Sequence, residues 1–220
     1  MLPPESRAMI LTKLKQSGFI LTTETGASIA FDPGSETPTE ALSKRAPLSA
    51  VFVSHQHADH LHAPNLAAAT SPVFVAADIP PLLEGDGLDV TPLEVGKATA
   101  VESYEVTPFI VDHGEISAPI VNQGFLIEAE GRRILFLGDI AVPGEVPQGP
   151  FDTVLIPVGG GKVFSPEEAM TFLGSLGPVS VVLPVHFNGR SSIDTARAFE
   201  RLASATHDVH VLELDESITI

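Results

Sequence analysis

Ser54-His55-Gln56-His57-Ala58-Asp59-His60 places three imidazoles and a carboxylate within six residues, directly after the short run Ala50-Val51-Phe52-Val53. With 8 histidines and 11 aspartates in 220 residues, His-x-His-x-Asp-His arises by chance in about one chain of this length in 2,000. The bland alternative is a histidine-rich surface loop. Against it, four ligand-capable side chains at the mouth of a sheet would each lose hydration if they merely packed. On a helix the three rings would spread over different faces. On a tight loop after a strand, alternate residues can converge on two neighbouring cation positions. Imidazole and carboxylate suit zinc, iron, manganese or nickel. The chain has no cysteine, so sulfur does not help to choose among them.

One cation takes three or four protein ligands and a pair takes more, so further ligands must come from elsewhere. The pattern of the cluster, a polar residue ending an apolar run, recurs at three distant places. His113 follows Val106 to Val111, Asp139 follows Ile134-Leu135-Phe136-Leu137-Gly138, and His186 follows Val179 to Val185. Each alone could be a satisfied polar cap. Together with the cluster they form a candidate ligand set at strand ends, where layered α/β proteins build sites.

The rest of the chain supplies such strands. Phe19-Ile20-Leu21-Thr22 and Ala27-Ser28-Ile29-Ala30-Phe31 flank Thr25-Gly26 as a hairpin, and Asp32-Pro33-Gly34 stops its second strand. Val73-Phe74-Val75 and short runs between Leu88 and Val111 read as further strands. Gly124 to Glu128 and Arg133 to Leu137 flank a second hairpin turn. The rhythm then becomes strand, helix, strand, helix, strand. Thr153 to Ile156 is a strand, and Ser165-Pro166-Glu167-Glu168 is a capping box opening a helix that closes near Gly177-Pro178. Val179 to Val185 is a buried strand. Ser191-Ser192 opens a second helix with Ile193, Ala196, Phe199, Leu202 and Ala203 on one face, and Val209 to Leu214 closes the sheet. This order predicts packed sheets with helices outside, in a single domain over residues 1–220.

With these residues in hand, the chain resembles the metallo-β-lactamase superfamily: Asp32, His55-x-His57-x-Asp59-His60, His113, Asp139 and His186 stand in that superfamily's motif order. Ile156-Pro157-Val158-Gly159-Gly160, Ser165 to Ala169 and Leu183-Pro184-Val185-His186-Phe187 look like its ascorbate-6-phosphate lactonase-like branch. The resemblance implies a four-layer αββα sandwich with a two-metal site at one edge. It implies that His55, His57 and His113 hold one ion and Asp59, His60 and His186 the other, with Asp139 bridging and Asp32 orienting the cluster loop from behind. The implied cofactors are two divalent ions, zinc first, with manganese, iron or nickel as alternatives. The implied activity is hydrolysis of a small ester-like substrate, a lactone or phosphorylated lactone, by a metal-bridging hydroxide. Asp59 and Asp139 are the candidate proton shuttles. A phosphodiesterase of the same fold, or a non-catalytic metal-binding or interaction module, are the rival readings. Cysteine-ligated lactamases cannot be matched by a chain without cysteine. The flavodiiron pattern carries Glu where this chain has His57, and the nuclease branches need an added domain for which there is little room.

Composition agrees. A net charge of −16 argues against nucleic acid, whose binding draws on Lys and Arg, but two bound cations would invert the field locally. No run approaches the roughly 18 apolar residues that span a bilayer. The expectation is a cytoplasmic protein with a small-molecule substrate, no nucleic-acid or membrane partner, and exposed apolar loops that could support homo-oligomer assembly. Gly160, Lys162 and Asn188 are candidate substrate contacts; Gly159-Gly160-Gly161 could present N–H groups to an anion or simply be a loop needing unusual φ/ψ. Arg190 lies near a candidate ligand loop, with a solvated role at least as plausible. His62 is expected not to ligate, and His207 and His210 are expected at the surface.

Overall fold

The computed structural model describes residues 7–114, 120–187, 189 and 192–220. The first half builds β1 (Ile10–Lys13), β2 (Phe19–Thr22), β3 (Ser28–Phe31), α1 (Thr39–Ser43), β4 (Ala50–Val53), α2 (Ala63–Ala69), β5 (Val73–Val75), a 3-10 turn and β6 (Val90–Pro92). The second builds β7 (Thr99–Val101), β8 (Tyr104–Ile110), β9 (Gln123–Ala129), β10 (Arg132–Phe136), β11 (Phe151–Pro157), α3 (Pro166–Leu173), β12 (Val179–Val185), α4 (Ile193–Ala203), β13 (Asp208–Val209) and β14 (Ser217–Thr219).

Two sheets result, in the orders β14-β1-β2-β3-β4-β5-β6 and β13-β12-β11-β10-β9-β8-β7. Pairs joined by short turns, such as β2–β3 and β9–β10, are antiparallel, and pairs joined through helices, such as β3–β4 and β11–β12, are parallel. Antiparallel pairing of β1 with β2 and of β2 with β3 makes β1, β3 and the parallel β4 run the same way. By the same logic β8, β10, β11 and β12 share one direction. Every candidate ligand described below leaves the carboxyl end of one of these seven strands.

The central strands β3, β4, β10 and β11 carry near-continuous buried runs because both of their faces are covered. Along β3, Ile29 and Phe31 face the other sheet while Ala30 faces the layer of α1 and α2. Along β10 into the following loop, Ile134 and Phe136 point between the sheets while Leu135 and Leu137 meet the α3 and α4 layer. Between the sheets, Phe19 stacks on Phe31 at 4.7 Å, Phe31 on Phe52 at 5.2 Å, and Phe136 meets Phe19 edge-on at 5.1 Å. The layers are therefore helix, sheet, sheet, helix, the expected αββα sandwich. No helix among the described residues is long and apolar enough to cross a membrane.

Several local expectations change. β1 and β14 were not anticipated: they are short and pair with each other at the edge, where Ile10 stays exposed. The strand expected over Val209 to Leu214 is only Asp208–Val209, and the chain then crosses to pair β14 in the first sheet. The capping box forms as expected, with Ser165 and Glu168 bonded reciprocally, but α3 ends at Leu173, a turn before Gly177. Ser192 caps α4; Ala196, Phe199 and Ala203 are buried while Leu202 is 44% exposed, so the apolar stripe is narrower than expected. Ser191 lies outside the described residues.

Candidate metal centre

The loop after β4 is not helical. His60 N and Leu61 N both donate to His57 O, forming a tight turn. Asp32, at the end of β3, stands behind it: Oδ1 accepts from Ser54 N at 2.7 Å, and Oδ2 accepts from Ser54 Oγ at 2.6 Å and from His60 Nδ1 at 2.7 Å. Because the Ser54 hydroxyl spends its proton on Asp32, its oxygen must accept from His55 Nδ1, 2.9 Å away. That bond fixes the His55 tautomer and leaves Nε2 a lone pair facing the site. The Asp32 bond likewise leaves His60 Nε2 facing the site. These are the partners that orient imidazole ligands in metal sites. Gly34 permits the packing: a Cβ there would lie 1.9 Å from the Asp59 carbonyl carbon.

The distant candidates arrive at the same place. His55 Nε2 and His113 Nε2 lie 3.0 Å and 3.2 Å from His57 Nδ1. Asp139 Oδ2 lies 3.1 Å from His60 Nε2, 3.2 Å from His186 Nε2, 3.6 Å from His113 Nε2 and 3.8 Å from His55 Nε2. Asp59 Oδ2 lies 3.6 Å from His186 Nε2 and 4.0 Å from His60 Nε2. Two groups follow, His55, His57, His113 and Asp139, then Asp59, His60 and His186, each with its ligand atoms within 4.8 Å of one another.

This donor set fits metal ions. Ligands about 2.1 Å from a tetrahedral cation stand roughly 3.4 Å apart, close to the spacings found. His60 Nε2 is buried, forms no well-aligned hydrogen bond, and faces the Asp139 carboxylate at 3.1 Å, a pair of donors that a cation between them would satisfy. Electrostatics point the same way. Burial, reinforced by His60, pushes His55 well below the usual imidazole range, and burial with His113 lowers His57, so both are neutral donors. Burial opposes ionisation of Asp139, but the neighbouring His186 and His60 outweigh it and hold the carboxyl well below its usual value. Burial is similarly outweighed at Asp59, by His60 and the Gln16 amide. At His60 the Asp139 and Asp32 carboxylates outweigh burial and raise its pKa well above the ordinary value. Without a cation, a proton on His60 is the charge available to balance the carboxylates.

The site opens into a cavity of about 350 Å³, walled by His57, Asp59, His113, Asp139 and His186 and by Ala58, Gly160, Gly161 and Lys162. Gly160 and Gly161 have φ of 74° and 72°, so the loop needs the left-handed conformations that glycine allows. The Gly160 N–H donates to Phe164 O and is spent there, which removes it as an anion donor. Asn188 and Arg190 lie outside the described residues. His62 precedes α2 and joins neither group, and His207 and His210 are partly exposed.

Sequence reasoning missed what stands around the ligands. Gln16 Nε2 donates to Asp59 Oδ2 at 3.1 Å, Ser17 Oγ reaches Asp139 Oδ1 at 3.5 Å, and Asn122 Nδ2 donates to Asp139 O at 3.1 Å. The available signal was weak: Gln16 and Ser17 follow β1, as the candidate ligands follow strands, but Thr12, Lys13 and Lys15 break up any apolar run and the strand does not announce itself.

Comparison with known proteins agrees with this fold. A family model described as beta-lactamase superfamily domain matches residues 10–186. A UPF0173 metal-dependent hydrolase of Polynucleobacter asymbioticus is 26% identical, over 93% of this chain and 83% of its own. Among solved structures, the metallo hydrolase Igni18 of Ignicoccus hospitalis superposes with a TM-score of 0.79 at 21% identity, covering 97% of this chain and 98% of that one. The metallo-beta-lactamase fold protein YhfI of Bacillus subtilis gives 0.78 at 14% identity, covering 97% and 100%.

Proposed function

The chain belongs to the β-lactamase superfamily, and on that premise we propose that it is a single-domain, metal-dependent hydrolase with a two-cation centre. His55, His57 and His113 hold one ion, Asp59, His60 and His186 the other, and Asp139 lies between them. The observation that carries this reading is one carboxylate oxygen, Asp139 Oδ2, within 3.8 Å of four imidazole nitrogens drawn from both groups. Divalent cations, zinc in the first instance, supply there an acidified water and Lewis acidity toward a substrate oxygen.

The chain's own residues do the rest. Asp32 and Ser54 hold the His55 and His60 rings at fixed tautomer and angle, which avoids reorganising them during reaction. Asp59 lines the cavity, its carboxylate held ionised, and is one candidate to carry the proton; Asp139, between the two groups, is the alternative. Lys162 on the cavity wall offers a counter-charge for an anionic substrate in an otherwise acidic protein. The cavity suits a small ester-like molecule, and the motifs after β11 and β12 favour a lactone or phosphorylated lactone.

The test is turnover of a panel of lactones, phosphorylated lactones, thioesters and phosphodiesters by protein loaded with zinc, manganese, iron or nickel. Lactone hydrolysis that EDTA abolishes and metal restores is expected. Preferential phosphodiester turnover would replace the substrate class and keep the centre. No turnover by metal-loaded protein across the panel would favour a binding module.

A further inference from the structure

The segment joining β1 to β2 is built in a costly way that the hydrolase reading leaves unused. Lys13 is buried, with Nζ donating to Leu14 O at 2.7 Å, Gln16 O at 2.6 Å and Gly18 O at 3.2 Å. Nζ thus meets three carbonyls of a single turn. Gln16 is fully buried, its Oε1 has no partner among the described residues, and its φ is +50°. Unpaired buried polar atoms and left-handed backbone at a non-glycine residue are both unfavourable, and such strain gathers at functional sites.

What Gln16 touches explains the expense. Its side chain donates to Asp59 Oδ2, and its carbonyl accepts from His186 N at 3.1 Å. His186 is itself left-handed, with φ +62°, and Gln16 forms an isolated bridge with Phe187. Two strained residues from different sheets are therefore joined back to back, one of them a ligand candidate. Gly189 closes the arrangement: a Cβ there would lie 2.8 Å from the Gln16 side chain. None of these bonds reaches His55, His57 or His113.

We propose that Gln16, clamped by Lys13, is a positioning residue that holds the Asp59 carboxylate and the His186 backbone, and so sets cation affinity at the Asp59–His60–His186 group alone. This rests on the two-cation reading above, which the experiment tests separately.

The experiment is calorimetric titration of the metal-stripped full chain with zinc, comparing wild type, Gln16→Met, Lys13→Met and Gly189→Ala. The last displaces the Gln16 amide without altering its chemistry, and serves if either of the others fails to fold. Wild type is expected to take two equivalents. In the variants the first equivalent should bind within about threefold of wild type and the second about 10–100-fold more weakly, the usual cost of losing a partner behind a ligand. Equal weakening of both equivalents, or two equivalents bound as in wild type, overturns the role of Gln16 and leaves the pair of cations standing. One equivalent in wild type itself overturns the two-cation reading and this inference with it.

Discussion

Asp139 and Asp32 are both buried aspartates, yet substitution should separate them. Asp139→Asn keeps the shape but removes the charge that four imidazoles approach. It should abolish turnover and lower the metal retained after dialysis, and a fully active, metal-replete variant would remove Asp139 from the mechanism. Asp32→Asn leaves Ser54 and His60 with a weaker acceptor. A loss of about 10–100-fold in metal affinity is expected, with turnover recovered at saturating metal. Lys13 gives a pH test away from the ligands. Burial, helped by the Lys15 charge, pushes its pKa from 10.5 down to about 7. The unfolded chain therefore binds more protons between about pH 7 and 10.5, and stability from this group must rise with pH across that window. Below about pH 7 the full penalty of burying the charge applies. In urea unfolding of metal-free protein, wild type should gain on Lys13→Met between pH 7 and pH 9.5; parallel profiles would contradict the assignment. The candidate ligands stood out in the sequence because imidazoles at this spacing are rare. Gln16, Ser17 and Lys13 were not, because their types are common and their roles come from contacts across the fold.

At the scale of elements, glycines and caps do different jobs. Gly34 lets the end of β3 lie against the Asp59–His60 peptide, so Gly34→Ala should shift the turn that carries two ligands. Because the clash is with backbone, it cannot be relieved by a side-chain shift, and the expected outcome is a fall in melting temperature with a disproportionate loss of bound metal. Ser165 sits outside the site at the start of α3. Ser165→Ala should cost about 1 kcal/mol of stability and leave metal content unchanged. The cap of α3 was readable because its signal is local, Ser-Pro-Glu-Glu in four residues. The end of α3, the shortness of β13 and the existence of β1 and β14 were not, because each is decided by a partner far away in the chain.

For the whole molecule, the αββα layering follows from strands that are apolar on both faces, which is why continuous runs at Ala50 to Val53 and Val179 to Val185 already spoke for covered sheets. The two sheets meet through Phe19, Phe31, Phe52, Phe125 and Phe136, so Phe31→Ala should cost about 3–5 kcal/mol and loosen both ligand groups together. What the sequence could not reveal is that the strands carrying the candidate ligands turn their carboxyl ends to one edge, since that depends on pairing order. The most direct test of the account is anomalous diffraction at the zinc edge from crystals of zinc-loaded protein. It predicts two peaks about 3.5–4 Å apart, one against His55, His57 and His113 and one against Asp59, His60 and His186, with Asp139 between them. A single peak, or zinc bound away from these side chains, would contradict it.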